Sequence, residues 1–479
     1  MAETSSALPL FVDLDGTLIK TDTMIEAILS LLRTKPLALL EMLGWLAGGK
    51  VVFKAQLAKR ISLDLSSLPT NLELVSYLKD EHEKGRELIL ISASHQSVVD
   101  SALKHFDFFS AGFGSGDKTN LKAKTKLQKI KQLTKKSFFA YAGDSSADVV
   151  IWHEAQEIIL VNCDATVATR ARKAMSNEAS LIELDQPLPL IPTLLKAMRL
   201  HQWLKNLLVF LPLILSHQLN QPVLLGLNTI AFVSFCFCAS SVYFLNDLLD
   251  LSSDRAHPTK RGRPFAAGAL PLKYGLLGTP ILFATSLLLA LTVGTEFLLA
   301  VLLYWLATCF YSFYLKRVFL VDVVTLAFLF TMRVIAGSAA IGVVTTDWLM
   351  AFTGFLFLGL AVVKRVIELT NLKSKGLTTT EGRGYSVDRL QLITIIGSMS
   401  SLAAVIVFAV YINAPATLNL YRSPNILWGI CPLLLLMLAR VWQAALAGNL
   451  NEDPVVFAAE DRPSQIMLGL CAILLWLAV

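Results

Sequence analysis

Charge is what this chain has least of. Only 16 % of its 479 residues are Asp, Glu, Lys or Arg, against about 25 % in an average soluble domain. Apolar residues reach 54 % and the mean hydropathy is +0.59. These numbers exclude a disordered chain, a collagen-like chain and a disulfide scaffold. Cysteine is also sparse: Cys163, Cys236, Cys238, Cys309, Cys431 and Cys471 are scattered without metal-ligand spacing, and five lie in apolar runs, as small buried residues do. The first 25 residues lack a basic start followed by an apolar core and instead hold Asp13, Asp15 and Asp22. That argues against a cleaved signal peptide and for an N-terminus that stays in the cytoplasm.

What charge there is sits unevenly. Residues 1–199 hold 24 of the 42 Lys+Arg and 23 of the 36 Asp+Glu, the density of a soluble domain. The rest is membrane-like. In the first part short apolar runs at Leu8–Val12, Glu87–Ile91, Ser137–Ala142 and Ile158–Val161 read as buried strands of a parallel sheet. Helical stretches at Thr70–Lys84 and Lys122–Leu133 separate them, giving a three-layer α/β domain. Residues 23–69 read as a mainly helical insert. Residues 166–198, with Pro187, Pro189 and Pro192, read as a linker.

Ligands of open α/β sheets bind beyond the strand C-terminal ends, and polar residues gather there. Asp13 and Asp15 follow the first strand two residues apart. One carboxylate there can attack phosphorus and form an aspartyl phosphate; the other can protonate the leaving oxygen and then activate water. Ser92 after the second strand could donate to a phosphate, Lys126 or Lys122 could supply a cation, and Asp144 with Asp148 could hold Mg²⁺. Four motifs, Asp13-Leu14-Asp15-Gly16-Thr17-Leu18, Ile91-Ser92-Ala93-Ser94, a lysine near 122–126, and Gly143-Asp144-Ser145-Ser146-Ala147-Asp148, resemble those of the haloacid dehalogenase superfamily, in that family's order. The resemblance implies a Rossmann-like domain over residues 1–165 with a helical cap at about 23–69. It also implies a nucleophile at Asp13, an acid/base at Asp15, phosphate contacts from Ser92 and a lysine, and Mg²⁺ at Asp13, Asp144 and Asp148. Lys118, Lys122, Lys124 and Lys126 crowd together; Lys126, at a helix start, is favoured and Lys122 comes next.

From residue 199 onward apolar segments recur at about 204–219, 224–245, 275–293, 297–315, 320–343, 347–363, 391–412, 425–446 and 464–479. Each approaches the ~20 residues that cross a bilayer, so the expected architecture is an all-α polytopic bundle of about nine spans. With nine crossings, 16 of the 18 cations of this part fall on the cytoplasmic side. Asp247, Asp250 and Asp254 follow the second segment on one helical face, beside Asn246. Three carboxylates on one face repel unless cations bridge them, so Mg²⁺ and a diphosphate are the expected resolution. Arg255, Lys260, Arg261 and Arg263 come directly after and suit phosphate oxygens.

Asn246-Asp247-Leu248-Leu249-Asp250, Asp254-Arg255 and Lys260-Arg261-Gly262-Arg263-Pro264 resemble the UbiA family of membrane prenyltransferases, whose chemistry breaks a bond to diphosphate with Mg²⁺. A second aspartate-rich segment, usual in that family, is missing between the sixth and seventh spans; Lys364, Arg365, Glu368, Lys373, Lys375 and Arg383 stand there instead. Together with the stretch Arg199–Asn206 (which includes Lys205), Tyr311 with Lys316 and Asp322, Arg333, and Asp453-Pro454, these departures resemble the decaprenyl-phosphate phosphoribosyltransferase-like branch. That resemblance implies phosphoribosyl diphosphate as donor and a polyprenyl phosphate as acceptor, with membrane lipids as surroundings. Arg333 has two readings, a contact to the lipid phosphate or a structural pair. Alternatives for the whole are ordinary transfer from a prenyl diphosphate to an aromatic or other acceptor, and a transporter or lipid-handling scaffold with a regulatory soluble domain. A nucleic-acid role has no support, because the cations lie beside the spans.

Overall fold

A computed structural model of the chain describes residues 8–116, 119–135, 137–374, 376, 378, 384–448, 450 and 454–479. Lys118, Lys375, Arg383 and Asp453 lie outside them. Two compact units are present, Met1–Arg199 with Tyr243–Pro280, and Leu200–Val242 with Ile281–Val479.

The first unit is built on six strands, β1 (Leu10–Val12), β2 (Leu88–His95), β3 (Ala111–Ser115), β4 (Ala140–Gly143), β5 (Glu157–Val161) and β6 (Ser180–Leu184). They run in the order β3-β2-β1-β4-β5-β6 and every neighbouring pair is parallel. The strand order reverses at β1, so the crevice where ligands collect lies beyond the C-terminal ends of β1 and β4. Leu10, Val12, Leu88, Leu90, Ala140 and Ala142 feed the core on one side of the sheet, and Phe11, Ile89, Ile91 and Tyr141 that on the other. Alternate residues of one strand serve both cores, which is why the strands read as unbroken apolar runs.

Helices α1 (Thr23–Thr34), α2 (Ala38–Ala47) and α3 (Lys50–Arg60) fill the insert, followed by α4 (Leu72–Glu83), α5 (Gln96–His105), α6 (Lys124–Leu133), α7 (Val149–Trp152), α8 (Ala165–Ala174) and α9 (Leu190–Ala197). Asp22 caps α1 by accepting from the amides of Met24 and Ile25, at 2.9 and 3.0 Å. The stretch expected to be a linker differs from that reading. Residues 166–198 carry most of α8, all of β6, which pairs with β5, and α9. Three prolines pointed to a connector, but they fall after β6, between it and the first turns of α9.

The remaining helices are α10 (Leu211–Leu215), α11 (Pro222–Leu249), α12 (Leu251–Ala256), α13 (Leu272–Val293), α14 (Thr295–Phe313), α15 (Val321–Ile341), α16 (Asp347–Ser374), α17 (Leu390–Ile412), α18 (Pro415–Leu420), α19 (Ile430–Leu446), α20 (Pro454–Glu460) and α21 (Arg462–Ala478). Seven described helices are long and apolar enough to cross a membrane. The first and last of the nine expected segments are occupied by shorter apolar helices, Leu200–Leu215 and Arg462–Ala478. In the second unit small residues let helices approach: a Cβ at Gly397 of α17 would fall 2.5 Å from the ring of Trp442 in α19.

Candidate functional site

The loop after β1 places two carboxylates at the crevice. Asp13 is buried, and its Oδ2 lies 2.6 Å from the Lys126 ammonium. Lys126, in the first turn of α6, also donates to the Tyr141 hydroxyl at 3.0 Å and stands 3.8 Å from Asp148. Lys126 is thus the lysine that meets the carboxylates, while Lys122 is exposed before α6. Asp15 accepts from the Thr23 amide at 2.8 Å and from the Ser94 hydroxyl. Ser92 is fully buried, its hydroxyl accepting from the Ser94 amide at 3.0 Å. Gly16 has φ +79°, and a side chain there would meet the Asp144 carboxylate. The loop can close only with glycine.

Asp13, Asp144 and Asp148 each present one carboxylate oxygen, all within 4.8 Å of one another, the one such group among the described residues. Burial pushes the Asp13 carboxyl up to about 6, Lys126 opposing and Asp148 adding to the rise. Burial, then Asp148 and Asp13, hold Asp144 well above the usual carboxylate range. Burial also lifts Asp15 to about 6, with Asp22 adding and Ser94 and Thr23 resisting. Three converging carboxylates with one ammonium between them leave negative charge uncompensated, so the donor set fits a hard divalent cation such as Mg²⁺.

A second polar cluster lies in the Tyr243–Pro280 part of the same unit. Asp247 is 2 % exposed. Its Oδ1 accepts from Arg199 and, at 3.3 Å, from Arg263, whose Nη1 also reaches Asp254 at 2.6 Å. Arg199 sits in the left-handed backbone region, φ 55°, a conformation held only where surrounding contacts fix it. Asp247 Oδ2 and Asn246 Oδ1 are buried with no hydrogen-bond partner among the described residues. Asp247, Asp250 and Asp254 do not converge as a metal group here, because the Arg263 guanidinium stands between two of them. The orphaned oxygens of Asp247 and Asn246 still fit a cation carried in with an anionic substrate.

Arg255 is placed differently from the reading that made it a substrate clamp. Its guanidinium forks onto Glu26 of α1, Nη2 to Oε1 at 2.6 Å and Nη1 to Oε2 at 3.1 Å, and its Nε donates to the Ala266 carbonyl at 3.0 Å. Glu26 is buried in the cap and also accepts from the Thr21 hydroxyl at 2.7 Å. A buried carboxylate takes the nearest available guanidinium, and no spacing rule in the sequence joins residues 229 positions apart. Lys260 is half-buried and Arg261 exposed on the next turn. Glu26→Gln leaves this fork with one charge and is expected to destabilise the unit by about 3–5 kcal/mol. The doubly exchanged Glu26→Arg/Arg255→Glu protein is expected to recover part of the loss in thermal unfolding. Equal stability of Glu26→Gln and the parent would show that the pair contributes nothing.

In the second unit Asp322, at the start of α15, is fully buried. It accepts from the Tyr311 hydroxyl at 2.8 Å and faces Arg365 Nε at 2.6 Å, while Arg365 also binds Glu368 one turn on. Lys364 and Lys316 are half-buried, and the buried Lys205 ammonium lies 5.9 Å from the Phe330 ring. All three nitrogens of Arg333 donate to protein acceptors: Asn206 at 3.0 Å, the Leu329 carbonyl at 2.6 Å and the Tyr304 hydroxyl at 2.8 Å. These bonds are the partners that the structural reading of Arg333 called for. Sequence reasoning missed Ser94 as the partner of Asp15, Arg199 as that of Asp247, and Asp322 as that of Arg365. Arg199 and Asp322 carried a usable signal, a lone charge at the edge of an apolar segment.

A parallel-sheet crevice lined with carboxylates, serine and lysine, together with a buried aspartate–arginine cluster and seven membrane-length apolar helices among the described residues, defines an enzyme with a multi-pass membrane part. The family model for the UbiA prenyltransferase family matches residues 207–461, and that for haloacid dehalogenase-like hydrolases matches residues 10–151. The chain belongs to the UbiA prenyltransferase family and carries a haloacid dehalogenase-like hydrolase domain at its N-terminal end. It is 34 % identical over 467 residues to an uncharacterized protein, y4nM, of Sinorhizobium fredii, covering 97 % of this chain and 90 % of that one. It is 28 % identical over 289 residues to a decaprenyl-phosphate phosphoribosyltransferase of Mycolicibacterium smegmatis, covering 59 % and 90 %. A solved UbiA homolog from Archaeoglobus fulgidus bound to DMAPP and Mg²⁺ shares 19 % identity with a TM-score of 0.43, over 60 % of this chain and 98 % of that one.

Proposed function

We propose that the membrane part moves phosphoribose from phosphoribosyl diphosphate to a polyprenyl phosphate, and that the hydrolase domain removes a phosphate from the lipid-linked product. The observation that carries the first half is the buried Asp247, braced by Arg199 and Arg263 with its second oxygen unpartnered. The similarity to the Mycolicibacterium smegmatis phosphoribosyltransferase supports the choice of donor and acceptor. The acceptor phosphate oxygen attacks ribose C1 as the bond from C1 to the diphosphate oxygen breaks, and diphosphate leaves with the electron pair. Arg263 and its neighbouring cations hold the departing oxygens, and Asp247 with Asn246 would hold Mg²⁺, which neutralises diphosphate charge when bound.

In the hydrolase half Asp13 attacks the phosphorus of the ribose 5′-phosphate, and the ester bond to the sugar oxygen breaks. Asp15, held by Ser94 and Thr23, gives that oxygen a proton and then takes one from the water that cleaves the aspartyl phosphate. Lys126 holds the nucleophile and faces the incoming phosphate charge. Asp13, Asp144 and Asp148 would hold Mg²⁺ there. The two sites on one chain raise each other's effective substrate concentration. We place the hydrolase on the cytoplasmic side of the inner membrane, where the loop cations favour it.

Purified protein given Mg²⁺, a polyprenyl phosphate and phosphoribosyl diphosphate labelled in the ribose is expected to yield labelled lipid. No labelled lipid overturns the transfer reading. A labelled aromatic product formed from a prenyl diphosphate, with no need for phosphoribosyl diphosphate, would put ordinary prenyl transfer in its place.

A further inference from the structure

The cap of the hydrolase domain has one helix that is apolar on its outer face as well as its inner one. In α2, Ala38 and Met42 face inward and pack with Ala27, Leu31, Phe53 and Leu57. The opposite face is apolar as well: Leu39, Leu40, Leu43 and Leu46 are 53–69 % exposed, and Leu37 just before them is 79 % exposed. Positions 39, 43 and 46 recur at helical spacing, so this is a continuous stripe. No other part of the described chain covers it. Ten residues make a helix of about 15 Å, half of what a bilayer crossing needs. A helix too short to cross, packed on the cap by one face and apolar on the other, can reach lipid only by lying in the plane of the interface.

Charge says what covers it. Between residues 30 and 60 the chain has Arg33, Lys35, Lys50, Lys54, Lys59 and Arg60 against a single acid, Glu41. Arg60 pairs with Glu41 at 3.3 Å and lies 4.2 Å over the Trp45 ring. A leucine stripe set in a strongly cationic hairpin complements anionic lipid headgroups above acyl chains. A second copy of the same cationic hairpin would be repelled. The chain's own apolar spans keep a bilayer at hand. The partner of α2, helix α3, leads back to the chemistry. Lys54 donates at 2.7 Å to the carbonyl of Ala93, which sits between the buried Ser92 and the Ser94 that holds Asp15.

We propose that α2 is an in-plane membrane anchor that sets the hydrolase cap against anionic headgroups, so that the substrate of the Asp13 site is a phosphomonoester carried on a lipid. The substrate half rests on the hydrolase reading above; the anchor half does not.

The test uses the full chain in nanodiscs of phosphatidylcholine and phosphatidylglycerol that carry a clickable acyl chain, with a benzophenone amino acid at Leu43 or, as control, at the exposed Glu83 of α4. Lipid adducts at position 43 in clear excess over position 83 are expected. Equal labelling at the two positions, or cross-links from position 43 to a second copy, overturns the anchor. The variant Leu40→Gln/Leu43→Gln is then compared with the parent on p-nitrophenyl phosphate and on the phosphorylated lipid product. Both positions are exposed, so the soluble substrate is expected to be turned over at the parental rate while lipid turnover falls several-fold. Unchanged lipid turnover overturns the substrate half. A parent that labels at position 43 yet never hydrolyses the lipid product refutes the hydrolase reading and leaves the anchor standing.

Discussion

Asp13→Asn protein is expected to release no phosphate while still joining phosphoribose to lipid, so that the phosphorylated lipid accumulates. The amide has the volume of the carboxylate and fits the same pocket, but it has no anionic oxygen to attack phosphorus. Lys126, 2.6 Å away, then faces a neutral group, with Asp148 at 3.8 Å as its remaining ion-pair partner among the described residues. Losing a nucleophile typically costs on the order of 10³-fold or more, so phosphate release should fall to background. The measurement is phosphate release alongside the mass of the lipid product. Parental phosphate release from the variant would remove Asp13 from the mechanism. Lost release with a lipid product unchanged from the parent's would leave the hydrolase active on something else.

Asp247→Asn is expected to do the converse. Asp247 is the buried anion between Arg199 and Arg263, and its free oxygen is the feature that fits a cation. The substitution removes that donor and leaves two guanidinium groups short of a counter-charge. Loss of one preorganised electrostatic group commonly costs on the order of 10²–10³-fold in turnover, and transfer from labelled phosphoribosyl diphosphate should drop by that amount. Asp247 belongs to the same compact unit as the hydrolase crevice, so turnover of p-nitrophenyl phosphate reports whether the variant is folded. Lost transfer with retained phosphatase activity is the expected pattern. Transfer at the parental rate would show that the acidic segment does not handle the donor.

The contrast between what local sequence displays and what it hides follows residue by residue. β1, β4 and β5 are short unbroken apolar runs, so a fully buried parallel sheet is visible in them, and the carboxylates at their ends are legible as chemistry. β3 reads Ala-Gly-Phe-Gly-Ser, too poor in branched or large side chains to show as a strand; it is an edge strand placed by pairing with β2. β6 was masked by the prolines that follow it. Lys126 is favoured in the sequence only by its place at a helix start; Lys122 lies four residues before it, so helical spacing does not separate the two. The Glu26–Arg255 fork was not legible, since a pair so distant in sequence has no local signature. Arg333 could be flagged as an intramembrane charge, but its neutral partners, Asn206, Tyr304 and the Leu329 carbonyl, come from three different parts of the chain.

The grouping of Tyr243–Pro280 with the first 199 residues governs how the polypeptide can be made and dissected. On the ribosome Arg255, the counter-ion of Glu26, emerges only after α11 has been synthesised. A gene truncated after codon 199 would encode a hydrolase with Glu26 stripped of its counter-ion. It would also lack the tight turn at Gly268, which nestles against Lys20 and Pro69. Excising this module therefore takes two cuts and a splice.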